Sequence, residues 1–201
     1  MASILWEPNV VEIVYGELIE ESIFSATAIY TDSDGDEYSP DGTYEYTYSG
    51  NTSGTLSAGT KLDAGGYTLT VTFTPNDPTL SPASVTTDVG FSVLQAVPKV
   101  TWNNPSDIKY NYKGGNGPQL SSEQLNAVAD VGGTFVYSPA SGTELNAGLQ
   151  IVTATFTPTD TVNYESLESL QIEFKVLKGD IEIDWDFYEN GVSKIRRSGG
   201  G

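Results

Sequence analysis

From Gly66 to Thr74 the chain alternates without a break. Tyr67, Leu69, Val71 and Phe73 take one side, and Thr68, Thr70, Thr72 and Thr74 take the other. A period of two marks a strand with one buried face and one wet face, so the pattern predicts a half-buried antiparallel strand. Pro75 and Asp77 end it, because proline gives the ladder no donor and aspartate favours turns. Thr43 to Ser49 alternate likewise, with Tyr44, Tyr46 and Tyr48 on one face. Further extended runs are expected at Met1 to Trp6, Val10 to Tyr15, Ser22 to Tyr30 and Val85 to Leu94. In the second half they are expected at Val100 to Trp102, Ile108 to Tyr112, Gln124 to Val131, Thr134 to Tyr137, Leu149 to Thr157 and Leu167 to Leu177. Asn51 to Gly59 and Lys113 to Pro118 read as loops from their glycines and small polar residues. No segment keeps helical periodicity over three turns, and short strands punctuated by turn signals predict an all-β fold.

The chain also says much of this twice. Gly59-Thr60-Lys61-Leu62-Asp63-Ala64-Gly65 aligns with Gly142-Thr143-Glu144-Leu145-Asn146-Ala147-Gly148 at an offset of 83. The same offset carries Phe73-Thr74-Pro75 onto Phe156-Thr157-Pro158, Asp77 onto Asp160, Phe91 onto Phe174 and Trp102 onto Trp185. Internal repetition of this kind means two copies of one structural unit. Trp6 answers Trp102, yet Trp6 to Gly59 is 13 residues longer than Trp102 to Gly142. The acidic run Asp32 to Asp41 is the expected insertion. The predicted organisation is repeat one with its acidic insertion over 1–97, repeat two over 98–180, and 181–201 as the first strand of a truncated third repeat or a tail. Gln95 to Pro98 would be a short linker.

Several of these motifs belong together. They are a Trp-bearing strand, an LNA-like strand (Leu125-Asn126-Ala127; Phe24-Ser25-Ala26), a GTF-x-Y strand (Gly133 to Tyr137; Gly42 to Tyr46), the G-T-x-L-x-A-G turn, and a TFTPTD-x-x-NY corner (Thr155 to Tyr164). The set resembles the MBG-type immunoglobulin-like repeats of large bacterial secreted and surface proteins, over nearly the whole chain. The resemblance implies two tandem Ig-like β-sandwich domains plus a C-terminal surplus strand. It also implies a non-catalytic structural or adhesive role, outside the cell or on its surface, as a spacer or fibre-building segment. The alternative is a carbohydrate-binding or accessory module of a secreted enzyme. Repeat one departs from the pattern at Ser81, where repeat two has Tyr164.

Composition narrows the chemistry. The 201 residues allow two domains of about 90 residues, each large enough for a small core. A formal net charge of −18 argues against nucleic acid and anionic membrane as partners, both being polyanions, and favours cations. No stretch is long and apolar enough to cross a bilayer as a helix. No secretory leader pattern follows Met1, so the chain is expected to be a segment of a longer array. Histidine and cysteine are absent, which removes Ser-His and Cys-His nucleophiles and argues against zinc or iron. The chain is therefore read as a non-enzyme.

The sharpest chemical feature is Asp32-Ser33-Asp34-Gly35-Asp36-Glu37. Alternate carboxylates in a tight loop can converge on one hard cation, which makes Asp32, Asp34 and Asp36, with Asp41 as helper, candidate calcium ligands. The competing reading is a solvated hairpin tip. Asp77 and Asp160 are expected to cap the turns after their prolines, and Tyr164 to bond upstream backbone through its hydroxyl. Trp6, Trp102 and Trp185 recur at one place in the repeat, which argues for structure over sugar stacking. A glycan partner would need at least one of Trp6 and Trp102 flat and open to solvent. Ile181, Ile183, Trp185 and Phe187 share a face of the surplus strand. They are candidates for assembly, with neighbouring repeats or a second copy joined by strand addition. The basic residues Lys194, Arg196 and Arg197 follow it.

Overall fold

The computed structural model describes residues 1–80, 82, 84–110, 117–179, 183–187 and 193–197. Among them the chain is almost entirely strand and turn, and the helical element is a single 3-10 turn at Glu21–Ile23. The strands are β1 Ala2–Leu5, β2 Glu12–Val14, β3 Thr27–Thr31, β4 Glu37–Tyr38, β5 Gly42–Gly50, β6 Ser53–Thr55, β7 Gly65–Pro75 and β8 Val85–Leu94. They continue with β9 Val100–Thr101, β10 Ile108–Lys109, β11 Val128–Ala129, β12 Gly133–Ser138, β13 Gly148–Pro158, β14 Leu167–Leu177, β15 Ile183–Phe187 and β16 Ser193–Arg197. Two compact units result: Met1–Val97 with Asp160–Glu165, and Pro98–Thr159 with Ser166–Gly201.

In unit one a five-stranded sheet runs in the order β2-β8-β7-β5-β6 and a three-stranded sheet in the order β1-β3-β4. The strand with the cleanest alternation, β7, lies in the middle of the larger sheet, antiparallel to β5 and β8. Its inward residues Leu69, Val71 and Phe73 are wholly buried, while its threonines stay at least partly wet. Ala28 and Tyr30 of β3 pack against Phe73, so the two sheets face each other across the core. Trp6, Ile19, Ile23, Leu56 and Leu62 form a second, larger cluster with Leu69, Val71, Phe91 and Val93. The tyrosine stripe Tyr44, Tyr46 and Tyr48 lies half-buried against it.

Unit two holds a four-stranded sheet in the order β10-β14-β13-β12 and a two-stranded sheet β11-β9. Val152, Ile172, Phe174, Val176, Leu120 and Leu145 form its core. At Ala154/Phe156 the register between β13 and β14 shifts, and Ser169 on β14 takes a positive φ of 60° there. β15 pairs antiparallel with β16, Ile183 opposite Arg197 and Asp186 opposite Lys194. The surplus strand is thus paired with the chain's own basic end. Ile181 lies outside the described residues, and Ile183, Trp185 and Phe187 are placed here only as positions on β15.

Three expectations change. Ser22 to Tyr30 is not one strand: the 3-10 turn occupies its start, and the ladder begins at Thr27. Gln124 to Val131 likewise opens with a turn, in which Gln124 N–H and Leu125 N–H both donate to the Ser121 carbonyl, and only Val128–Ala129 is strand. The extra length of the first half is not one insertion. Matched contacts pair Trp6 with Trp102, Ala26 with Ala127, Tyr46 with Tyr137 and Gly59 with Gly142, at offsets of 96, 101, 91 and 83. The first half is therefore five residues shorter before Ala26, ten longer from there to Tyr46, and eight longer from Tyr46 to Gly59. The ten lie between Ala28 and Gly42, where they lengthen β3, form the acidic tip and supply β4. The eight extend β5 and supply β6, inside the stretch expected to be a loop.

Candidate functional sites

The recurring residues serve the backbone. Trp6 is buried and its indole Nε1 donates to the Ile23 carbonyl at 2.7 Å. Trp102 is half-buried, donates to the Gln124 carbonyl at 2.9 Å, and meets Tyr137 edge-on at 5.4 Å. Buried Trp6 does not present the open flat face that a glycan platform needs. Tyr46 accepts the Ala26 N–H at 3.3 Å and Tyr137 accepts the Ala127 N–H at 3.1 Å. Tyr44 accepts the Ala28 N–H at 2.8 Å. Burial pushes the Tyr46 phenol above its ordinary pKa, as expected where ionisation would put charge among rings.

The G-T turns are built alike. Gly59 and Gly142 both sit at φ +83°, which an L side chain resists. Their N–H groups donate to the carbonyls of Ile19 and Leu120, both at 2.8 Å. Ile19 and Leu120 are themselves buried, so each turn is fastened to its core.

At the corners, Asp77 accepts the Thr79 N–H at 2.9 Å and the Thr79 hydroxyl at 2.7 Å. Asp160 accepts the Asn163 N–H at 3.1 Å and its Nδ2 at 2.9 Å. Both aspartates are held below the ordinary carboxylate pKa, first by side-chain bonds from Thr79 and Asn163 respectively. They cap the following turns, as expected. Tyr164 uses its ring, which stands edge-on to Tyr15 at 5.3 Å, in place of the expected hydroxyl bond to backbone. Lys61 lies 4.3 Å from the Tyr15 ring centroid, and its interaction with Tyr15 is the first cause of a raised pKa.

Within unit one the sequence reading missed Asn163. It is a buried polar residue: its Oδ1 accepts the Ala64 N–H at 2.7 Å, and its Nδ2 reaches Asp63 Oδ1 at 3.2 Å as well as Asp160. A buried amide with donors and acceptors all matched costs little and fixes one local geometry. Its sequence signal was available, since Leu80 stands at the matching position 83 residues earlier.

Asp32, Asp34 and Asp36 form the tip between β3 and β4. Asp32 Oδ1 accepts the N–H of Asp34 at 2.9 Å and of Asp36 at 3.0 Å, so this carboxylate already holds the turn. Asp41 precedes β5, where its carbonyl accepts the Asn76 N–H at 2.9 Å. Among the described residues, no three acidic, histidine or cysteine side chains converge as a metal-ligating group, and no helix is long and apolar enough to cross a membrane. The chain matches no family model and no curated protein.

Each unit holds a parallel pair of strands. In unit one β2 runs parallel to β8, with Glu12, Ile13 and Val14 opposite Ser92, Val93 and Leu94. In unit two β10 runs parallel to β14, with Ile108 and Lys109 opposite Val176 and Leu177. Tyr15 N–H donates to the Leu94 carbonyl and Tyr110 N–H to the Leu177 carbonyl, each at 2.8 Å.

Proposed function

We propose that this chain is a non-catalytic structural segment of an extracellular or cell-surface repeat array, built from tandem Ig-like sandwiches that carry tension between their ends. The observation that carries this reading is the parallel pairing found in both units, of β2 with β8 and of β10 with β14. Pulling the two ends of a parallel pair apart slides one strand along the other. All rungs then load together, whereas an antiparallel hairpin pulled at its open end unzips one rung at a time. Resistance of this kind is governed by the rate of forced unfolding and not by the equilibrium stability alone.

Two further features support the reading. The order β8-β7-β5 in unit one corresponds to the G-F-C order of immunoglobulin-type sheets, with β1 and β3 as the A and B strands opposite. The residues that recur most clearly, Trp6 and Trp102 with Tyr46 and Tyr137, have their polar atoms occupied by backbone partners. Calcium at Asp32, Asp34 and Asp36 is not required. Stretching single molecules between their termini tests the reading. Two separate cooperative rupture events are expected, and smooth extension without them would defeat it. A panel of glycans should leave tryptophan fluorescence unchanged; saturable quenching would favour the carbohydrate-binding alternative instead.

A further inference from the structure

The two parallel pairs differ at one equivalent rung. In unit one the Ser92 N–H donates to the backbone carbonyl of Val11 at 2.9 Å. Lys175 is the counterpart of Ser92 at the offset of 83. Its N–H donates to a side chain, the Oδ1 of Asp107, also at 2.9 Å. Two residues earlier on the same strand, the Glu173 N–H donates to Asn104 Oδ1 at 3.4 Å. The rung beyond is backbone in both units, from Tyr15 to Leu94 and from Tyr110 to Leu177.

Pro105 lies inside the substituted stretch. It has no N–H to offer a ladder, and it restricts the backbone of Asn104 before it. Residues 104–107 lie outside any strand, and the Asp107 side-chain oxygen takes the place that the Val11 carbonyl holds in unit one. The two kinds of rung respond differently to sliding. A backbone carbonyl is fixed by its planar peptide to the strand that carries it. It stays in register with its neighbours and shares their load. The Asp107 carboxylate hangs on rotatable single bonds at an exposed position, so it can swing as the strands move, and water can replace it. At rest an ionised acceptor makes a strong bond, but under shear it gives way without engaging the rungs beside it.

We propose that tension is graded along the chain: unit two is the weaker link, and Asp107 and Asn104 set its threshold. This rests on the tension-bearing reading above. The test is single-molecule stretching of the full chain by its termini. The lower-force event is expected to release the shorter of the two spans, since Ile108 to Leu177 is shorter than Glu12 to Leu94. Asp107→Ala should shift that event to lower force and leave the other in place. Asp107→Asn keeps the Oδ1 acceptor and should hold close to the parent force, and Asn104→Ala should shift the same event by less. The proposal is overturned if the longer span is released first, or if Asp107→Ala moves neither event or both. Two events at equal force would leave the tension-bearing reading standing and remove the grading. No discrete events would remove both.

Discussion

Phe156 lies directly over Gly133. A Cβ built on that glycine would stand 2.5 Å from the ring Cζ and 2.5 Å from the Thr157 carbonyl oxygen, closer than carbon atoms pack. Phe73 covers Gly42 in the same way, against the carbonyl of Thr74. Gly133 pairs with Pro158 and Gly42 with Pro75, so each glycine opens its strand where the neighbouring strand reaches its corner proline. Glycine is therefore needed here for space. Gly133→Ala should destabilise unit two by about 1–3 kcal/mol through overpacking, and Gly42→Ala should do the same to unit one. Urea unfolding followed by tryptophan fluorescence reads both. A midpoint unchanged in either variant would mean that the ring can move aside.

The tyrosine hydroxyls make a second, separable prediction. Tyr46→Phe and Tyr137→Phe keep their rings and lose only the acceptors for Ala26 and Ala127. Each leaves a partly buried N–H without its partner, at a cost of about 1 kcal/mol. For a domain of this size that is a fall of roughly 4–8 °C in Tm. Differential scanning calorimetry should show the loss in both variants. A larger loss would mean that the rings shift as well.

Tyr67 to Thr74 was legible because its outer face is wet. Threonine can be selected there for strand propensity alone, so the alternation survives intact. The start of β3 was not legible, because Ile23 is as buried as a strand residue while its carbonyl is taken by the Trp6 indole. Burial and extension separate at such a point, and periodicity sees only the first. β6 is Ser53-Gly54-Thr55, all exposed, and a solvated edge strand carries no hydrophobic pattern. For the same reason the length difference looked like one acidic insertion. Asn163 escaped because a buried amide network depends on partners distant in sequence, such as Ala64 and Asp63. The Asp77 and Asp160 caps were readable because their partners lie within three residues.

Those caps predict an acid response. Both carboxyls have folded pKa values below their ordinary value of 3.8. The folded state therefore favours the ionised form, and the resulting stability is present above that value. It is lost as pH falls through the lower, folded pKa. Asp77→Asn keeps an oxygen that can accept from Thr79 but cannot titrate. The gap in urea midpoint between parent and variant should be constant from neutral pH to about 5 and should shrink below 3.8. Parallel curves across the whole range would show that Asp77 contributes no such linkage.

The register shift in unit two supplies the last prediction. Ala154 pairs with Leu170 and Phe156 with Leu167. Thr155 is thus faced by the stretch containing Glu168 and Ser169, an extra residue on β14 that makes a bulge. Ser169 absorbs it at φ 60°, in the region that glycine enters without a steric penalty. No such break occurs in unit one, where Phe73 to Tyr67 pair in unbroken register with Val85 to Phe91. A non-glycine residue in the left-handed region costs roughly 1–2 kcal/mol, partly offset by the greater freedom of glycine in the unfolded chain. Ser169→Gly should therefore stabilise unit two by up to about 1 kcal/mol, and Ser169→Val should destabilise it, because β-branching resists positive φ. Chemical denaturation of the two variants side by side gives the signs. If valine is tolerated as well as glycine, the ladder has slipped into continuous register and the bulge is not a fixed feature of β14.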